Sequence, residues 1–411
     1  MELARNSVLK MHNLGKRKEN SEETMIGRTD VSNFVVLPNI AIEIIDYFDE
    51  GLTIEQIEGI MKEKEIDVDV MDFAHLLLND LEFVHTVNGK VVNEEVIDNG
   101  HFHWITQKQA SLFFNKYMSA VYSFFLLAGI LLCIMNPSFI PRHTDVFVST
   151  SVTISIITTT AIGWFLLYLH EFGHLLAAKS IGIKSRIGLG HRLVFPVAET
   201  DMSNIVLLPH KRRYRALLAG MAWDGALFGI GVILLFINQF FFMMDPTFIA
   251  IIRMINLVSI LGIAFQFLFY LETDMYYVFT TYFKCNNLIH NTRLFIWSKV
   301  RKISEEQRIE LENINPKEKK IMKWYIGFYI VGVLWAISIF FIITIPTLLK
   351  FISLTIVKMV DYPLISMEFF DGIIFIVLSS IPFVVLFWSW IRTWRNRRRE
   401  RENRRLASEI T

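Results

Sequence analysis

His170 and His174 stand four residues apart in the run Trp-Phe-Leu-Leu-Tyr-Leu-His-Glu-Phe-Gly-His-Leu-Leu, residues 164–176. On a helix that spacing puts both imidazoles on one face, where they can share a metal ion. Glu171 sits beside the first of them, placed to activate a metal-bound water. The flanking residues are apolar for more than a turn on each side. An ionisable group at a bilayer centre costs roughly 2.5–3.5 kcal/mol even on the lenient insertion scale, so something must offset it. A bound Zn2+ is the candidate. Catalytic zinc takes three protein ligands and keeps a fourth position for water, so a further ligand has to come from elsewhere in the chain.

The elements that must position these groups are membrane spans. The chain has 411 residues, 53% hydrophobic and 14% aromatic. The apolar excess is gathered in blocks of about twenty residues, the length that crosses a bilayer. Six spans are expected, at 117–135, 152–181, 215–243, 248–283, 324–349 and 370–391. The second and fourth are too long to cross straight, so they must tilt, break or extend beyond the bilayer. Net charge is only +1, but Lys and Arg are unevenly placed. They crowd the connectors after spans two (Lys179 to Arg213) and four (Lys284 to Lys323) and the tail from Arg392 to Arg405, and are sparse in the others. The positive-inside bias therefore puts both termini and the even connectors in the cytoplasm. The polar N-terminus has no apolar core of a signal peptide, so the first hundred residues are expected to stay on that side. Cys133 and Cys285 are too few and too isolated for a disulfide framework or a thiolate zinc site.

With that topology spans two and four both run towards the cytoplasm. His170, Glu171 and His174 lie late in the one, and Glu272 and Asp274 late in the other. Two independent spans thus place ionisable groups at similar depth.

Residues 1–30 are polar, without periodicity, and are expected to be mobile. Residues 31–100 have the pattern of a small soluble domain: a strand over 34–38, a helix over 40–48 ending at Gly51, and a capping-box start at Thr53–Gln56 for a second helix. A third helix spans 69–81, and a hairpin turns at Asn88-Gly89. Three helices and a hairpin make a winged-helix-like α/β unit. That order resembles the PqqD-like peptide-recognition domain, carried by Val36-Leu37-Pro38, the helix 41–48, the turn and cap 49–57 and the closing hairpin. The resemblance implies that a leader peptide binds by adding as a strand to a sheet edge. Eight acidic residues between Glu43 and Glu65 argue against a DNA-binding winged helix, and the basic tail serves as a stop signal beside anionic lipid. Nucleic acid is not an expected partner. Residues 101–116, with Phe102, Trp104, Phe113 and Phe114, suit the membrane interface, and His101 and His103 belong to that stretch.

The zinc helix 170–178, Ala219-Gly220-Met221-Ala222-Trp223-Asp224 in the third span, Asp274-Met275-Tyr276-Tyr277, and Asn286-Asn287-Leu288 together resemble the site-2-type intramembrane metalloproteases, closest to their branch of peptide zinc metalloproteases. The likeness covers about 164–288, with the zinc core at 152–288 of a 117–391 membrane domain and a basic tail at 392–411. It implies that His170, His174 and Asp274 hold zinc and that Glu171 moves the proton, with Glu272 as the substitute third ligand. Met275 replaces the family's glycine, its Asn-Pro before the aspartate is missing, and no PDZ-like insertion is present. Gly173 is expected to leave room beside the metal for substrate backbone. Asp224 either orients a ligand histidine or the substrate backbone, or packs the third span beside Gly225 and Gly229. The connector 183–209 suits a short hairpin, and His191 and His210 are loop residues rather than ligands.

The expected protein is mainly α: a six-span bundle of the cytoplasmic membrane with a winged-helix-like N-terminal domain. The expected activity is zinc-dependent cleavage of a ribosomally made, modified precursor peptide, whose leader binds 31–100. The bilayer and a peptide-modifying enzyme or exporter are its other partners. Two alternatives stand beside it: cleavage of a membrane-spanning regulator, and a non-catalytic peptide-binding exporter subunit, receptor or immunity protein.

Overall fold

The computed structural model describes residues 3–94, 96, 100–149, 152–192, 195–285, 287–360, 363 and 366–410. The chain divides into two compact units, Met1–Trp104 with Met202–Arg213, and Ile105–Asp201 with Tyr214–Thr411.

The first unit carries six strands and three helices. They run β1 (Leu9–Met11), β2 (Leu14–Lys18), β3 (Glu23–Arg28), β4 (Asn33–Pro38), α1 (Asn39–Asp49), α2 (Ile54–Glu63), α3 (Val70–His75), β5 (Val84–Val87) and β6 (Lys90–Val91). Thr53 caps α2 through a reciprocal pair with Gln56, as the sequence predicts. Asn88 and Gly89 both take positive φ, 51° and 78°, which a two-residue hairpin turn of this hand requires. The third helix is shorter than 69–81: it begins after its Asp69 cap and relaxes into a π turn over Leu76–Asp80.

The mobile segment expected over 1–30 is corrected. β1 pairs antiparallel with β5, and β2 and β3 pair with each other and with β4, giving two three-stranded sheets. Leu9, Met11 and Ile26 are buried in the core with Ile44, Ile45, Phe48 and Phe83. These strands are three to six residues long, and β1 finds its partner more than seventy residues away. A local period cannot register such pairing. The 203–207 stretch, a 3-10 turn (Ser203–Leu207), also belongs to this unit. Arg17 and Arg213 both donate to the carbonyls of Val206 and Leu208, and Leu207 lies where Gly15 has no side chain.

The second unit opens with α4 (Gln107–Phe113), α5 (Lys116–Met135) and α6 (Val152–Ser180), followed by a hairpin of β7 (Arg186–Arg192) and β8 (Phe195–Asp201). Next come α7 (His210–Leu217), α8 (Ala219–Phe240), α9 (Pro246–Gln266), α10 (Asp274–Phe283), α11 (Leu288–Val300) and α12 (Glu305–Glu312). The last helices are α13 (Pro316–Ser338), α14 (Ile345–Val360) and α15 (Met367–Ile410), with a π stretch (Ile339–Thr344) joining α13 to α14. Among the described residues six helices are long and apolar enough to cross a membrane, in the six regions the hydropathy marks.

Small residues let α5 and α8 touch. A Cβ on Gly229 would fall 1.9 Å from the Phe125 carbonyl oxygen, and one on Gly129 would fall 2.7 Å from the Gly229 Cα. Such small-residue contacts, with backbones in close approach, are the kind that join apolar helices long enough to span a membrane.

Of the three ways open to the over-long fourth span (tilting, breaking or extending), it takes the break. α9 stops at Gln266, a 3-10 turn (Phe269–Leu271) follows, and Glu272 takes a left-handed conformation at φ 56°. Thr273 is extended, its hydroxyl donating to the Gln266 carbonyl at 2.6 Å, and α10 then starts at Asp274. The backbone freed by the break is satisfied by protein groups: Thr273 bonds the Gln266 carbonyl, Tyr325 the Phe269 carbonyl and Gln266 the Asp274 amide.

Candidate metal centre

α6 is a 29-residue helix without interior proline, so positions four apart stack on one face. His170 and His174 do so, with their Nε2 atoms 3.2 Å apart. The break after α9 puts Asp274 at the first position of α10, where its side chain can leave the helix sideways. Its Oδ2 lies 3.0 Å from each histidine Nε2. These three groups are the one His/Cys/Asp/Glu cluster of ligating geometry among the described residues.

The outer ring nitrogens explain why the inner ones are free. His170 Nδ1 lies 2.7 Å from Asp224 Oδ2 on α8, and His174 Nδ1 lies 2.7 Å from the Ala216 carbonyl at the end of α7. Both partners accept only, so each Nδ1 carries the proton and, in the neutral ring, each Nε2 presents a lone pair. With both rings neutral, two nitrogen lone pairs and a carboxylate oxygen converge within 3.0–3.2 Å of one another. Three acceptors so placed call for a positive centre between them, a metal ion or a proton on a ring nitrogen. Tetrahedral zinc, with bonds of about 2.0–2.2 Å to nitrogen and oxygen, needs its ligands about 3.3 Å apart. The donor set and its spacing therefore fit a zinc-sized ion.

Glu171 is 7% exposed and points to the same face of the bundle as the hairpin. The Thr200 hydroxyl on β8 lies 2.7 Å from Glu171 Oε2 and 2.9 Å from its carbonyl oxygen. One carboxylate oxygen is thus steadied and the other remains available.

Of the residues the sequence singles out, His170, His174 and Asp274 converge, with Glu171 adjoining in sequence, and Asp224 bonds the outer nitrogen of His170. Its neighbours Gly225 and Gly229 pack against Leu126 and Phe125 of α5, so the segment makes a histidine contact and a helix contact on different residues. Glu272 is corrected as a substitute ligand: left-handed backbone turns it to Arg293, 2.8 Å away. Gly173 is corrected too. A Cβ there would meet Ala219 and Trp223 of α8 at 3.4 Å, so Gly173 faces a helix contact. The glycine that clears the centre is Gly220, where a Cβ would lie 2.4 Å from His170 Nε2. The Ala-Gly pair had signalled the helix but not this contact. Gln266 is also missed: its side-chain oxygen accepts from the Asp274 amide at 3.2 Å and its Nε2 lies 3.4 Å from His170 Nε2. Nothing in the sequence marks it, nor Thr200, since both depend on the break and the hairpin register. Asn286 and the side chain of His191 lie outside the described residues.

Comparison with family models, characterised proteins and solved structures finds no match to this chain.

Proposed function

We propose that this chain is a membrane-embedded zinc metalloendopeptidase of the site-2 type, acting on a ribosomally made precursor peptide. The observation that carries the reading is the meeting of one potential ligand atom each from His170, His174 and Asp274, with Glu171 next in sequence to the first of them. Zinc bound there supplies a water acidic enough to ionise near neutral pH and polarises the scissile carbonyl. Glu171 takes a proton on its free carboxylate oxygen and returns it to the leaving amide nitrogen. Asp224 and the Ala216 carbonyl hold the two imidazoles in the tautomer that keeps Nε2 unprotonated. Thr200 fixes Glu171 from β8.

The first unit holds the leader, which raises the local concentration of the scissile segment at the membrane site, as any tethered second contact does. Its support is the sheet pattern: β4 and β6 are edge strands in their sheets, and an extended peptide can add to such an edge. Both termini are cytoplasmic in this reading, on the strength of the Lys and Arg distribution.

The test is Glu171→Gln in the full-length protein. It is expected to retain zinc at wild-type stoichiometry and to lose cleavage of the precursor peptide encoded beside it by at least about a hundredfold. Cleavage at the wild-type rate by that variant would overturn the mechanism. Wild-type protein carrying no more zinc than His170→Ala would overturn the metal.

A further inference from the structure

At the end of the bundle away from the metal centre, about 30 Å along α8 at 1.5 Å per residue, the chain forms a cleft of ≈ 600 Å³. Phe139, Asn238, Gln239, Phe241, Phe242 and Arg253 are among its walls. The turn between α8 and α9 is almost wholly apolar, and Phe241 and Phe242 are 71% and 62% exposed. Phenyl rings left open at the end of two spanning helices offer an apolar surface to acyl chains.

Arg253 is the unexplained charge in this cleft. It stands seven residues after Pro246, about 10 Å into a helix that spans the bilayer. A cation at that depth is costly and is kept only where a counter-charge or a polar path meets it. Its one protein hydrogen bond among the described residues runs from Nη1 to the Ser138 carbonyl, at 3.2 Å. No carboxylate there pairs with it. Asp245, the nearest acid in sequence, is occupied as the cap of α9, accepting from the amides of Thr247 and Phe248 at 2.8 and 3.1 Å. Asp145 accepts from the Arg142 amide. Asn238 uses its carbonyl oxygen on the Met244 amide and leaves its NH2 donor without a protein partner among the described residues.

We propose that the cleft is a binding site for the phosphate of an anionic phospholipid, held by Arg253 and the Asn238 amide with its acyl chains along the Phe241–Phe242 wall. A guanidinium fork matches phosphate oxygens in pairs, and its apolar stem lets it reach up from the helix to the headgroup layer. The aromatic wall continues onto lipid-facing surface, so the ligand needs no aqueous route. The site is independent of the peptidase reading, being built on the opposite ends of α8 and α9.

The experiment is native mass spectrometry of the full-length protein, partly delipidated and then offered phosphatidylglycerol or diacylglycerol. Wild type is expected to keep a single phosphatidylglycerol and no diacylglycerol. Arg253→Gln should lower that occupancy about tenfold, and Arg253→Lys should fall between. Should Arg253→Gln fail to fold, Asn238→Leu, which leaves the charge in place, must still lower occupancy severalfold. Equal phosphatidylglycerol retention by the folded variants and wild type would overturn the site. Retention of diacylglycerol would overturn the phosphate as the recognised group. Displacement of the lipid by millimolar inorganic phosphate, or by a peptide with a free C-terminal carboxylate, would overturn the lipid as its occupant.

Discussion

Gly220→Ala is the sharpest test of the centre, because the two glycines near it make opposite demands. An alanine Cβ at 220 would lie 2.4 Å from His170 Nε2 and 2.5 Å from two ring carbons. Ordinary contact begins near 3.5 Å, so the imidazole must withdraw by about 1 Å. Ligand distances tolerate only about 0.2 Å, so the ring would leave the ion and strain its Nδ1 bond to Asp224 as well. Losing the groups that orient a ligand already costs about 10–100-fold in affinity, and displacing the ligand itself should reach at least the upper figure, about 2.8 kcal/mol. At 173 an alanine Cβ meets its nearest neighbours at 3.4 Å, an ordinary contact. Gly173→Ala should therefore bind zinc within about threefold of wild type. Both variants, purified full length in detergent, would be titrated against a graded series of chelators, with circular dichroism as a control on helix content. If Gly220→Ala kept wild-type zinc affinity with its helices intact, the geometry argued for His170 would be wrong. A loss in Gly173→Ala equal to that in Gly220→Ala would refute the contrast between them.

Other expectations follow from contacts around the centre and in the first unit. Asp224→Ala removes the acceptor that keeps the His170 proton on Nδ1 and should weaken zinc binding about 10–100-fold, read in the same chelator series. Thr200→Val should leave zinc content unchanged and lower kcat for peptide cleavage about tenfold with little effect on KM, whereas Thr200→Ser should restore it. In the first unit burial alone would raise the Asp30 carboxyl, but the two hydrogen bonds and the charge of Arg28, with a hydrogen bond from the Val96 amide, outweigh it and hold it down to about 2. Because that value lies below the unfolded one of about 3.9, the pair's stabilisation is full above pH 4 and is lost as pH falls towards 2. Hydrogen-exchange protection over 9–38 and 82–94, corrected for the intrinsic rate, should fall in that window, and Asp30→Asn should remove this share of the pH dependence.

Much of this was legible because the chemistry rests on short spacings. Residues four apart on one helix need no knowledge of the fold, and span lengths and the Asn88-Gly89 turn are equally local. Pairing the second and fourth spans required only the alternation of connectors. What stayed hidden depends on contacts between distant segments. β1 meets β5 across the whole first unit, so the polar look of its surroundings concealed it. Gly220 and Gly173 look alike in sequence, and only the crossing of α6 and α8 decides which one faces a histidine ring. The fourth span reads as a continuous apolar block, yet Glu272, Thr273 and Asp274 are three polar residues in succession that favour a break there. Arg293, nineteen residues beyond Asp274, draws Glu272 away from the place its sequence neighbour fills.

The non-helical joint between Gln266 and Asp274 also bears on how such a protein is made. His174 and Asp274 are a hundred residues apart, with two of the six long apolar helices, α8 and α9, between them. A chain on the ribosome that has made α6 alone holds a histidine pair with no acid opposite. Only after α9 has ended and its joint has turned do the three groups meet. The cluster is thus closed before the last two long apolar helices, α13 and α15, are made, and no shorter chain can assemble it.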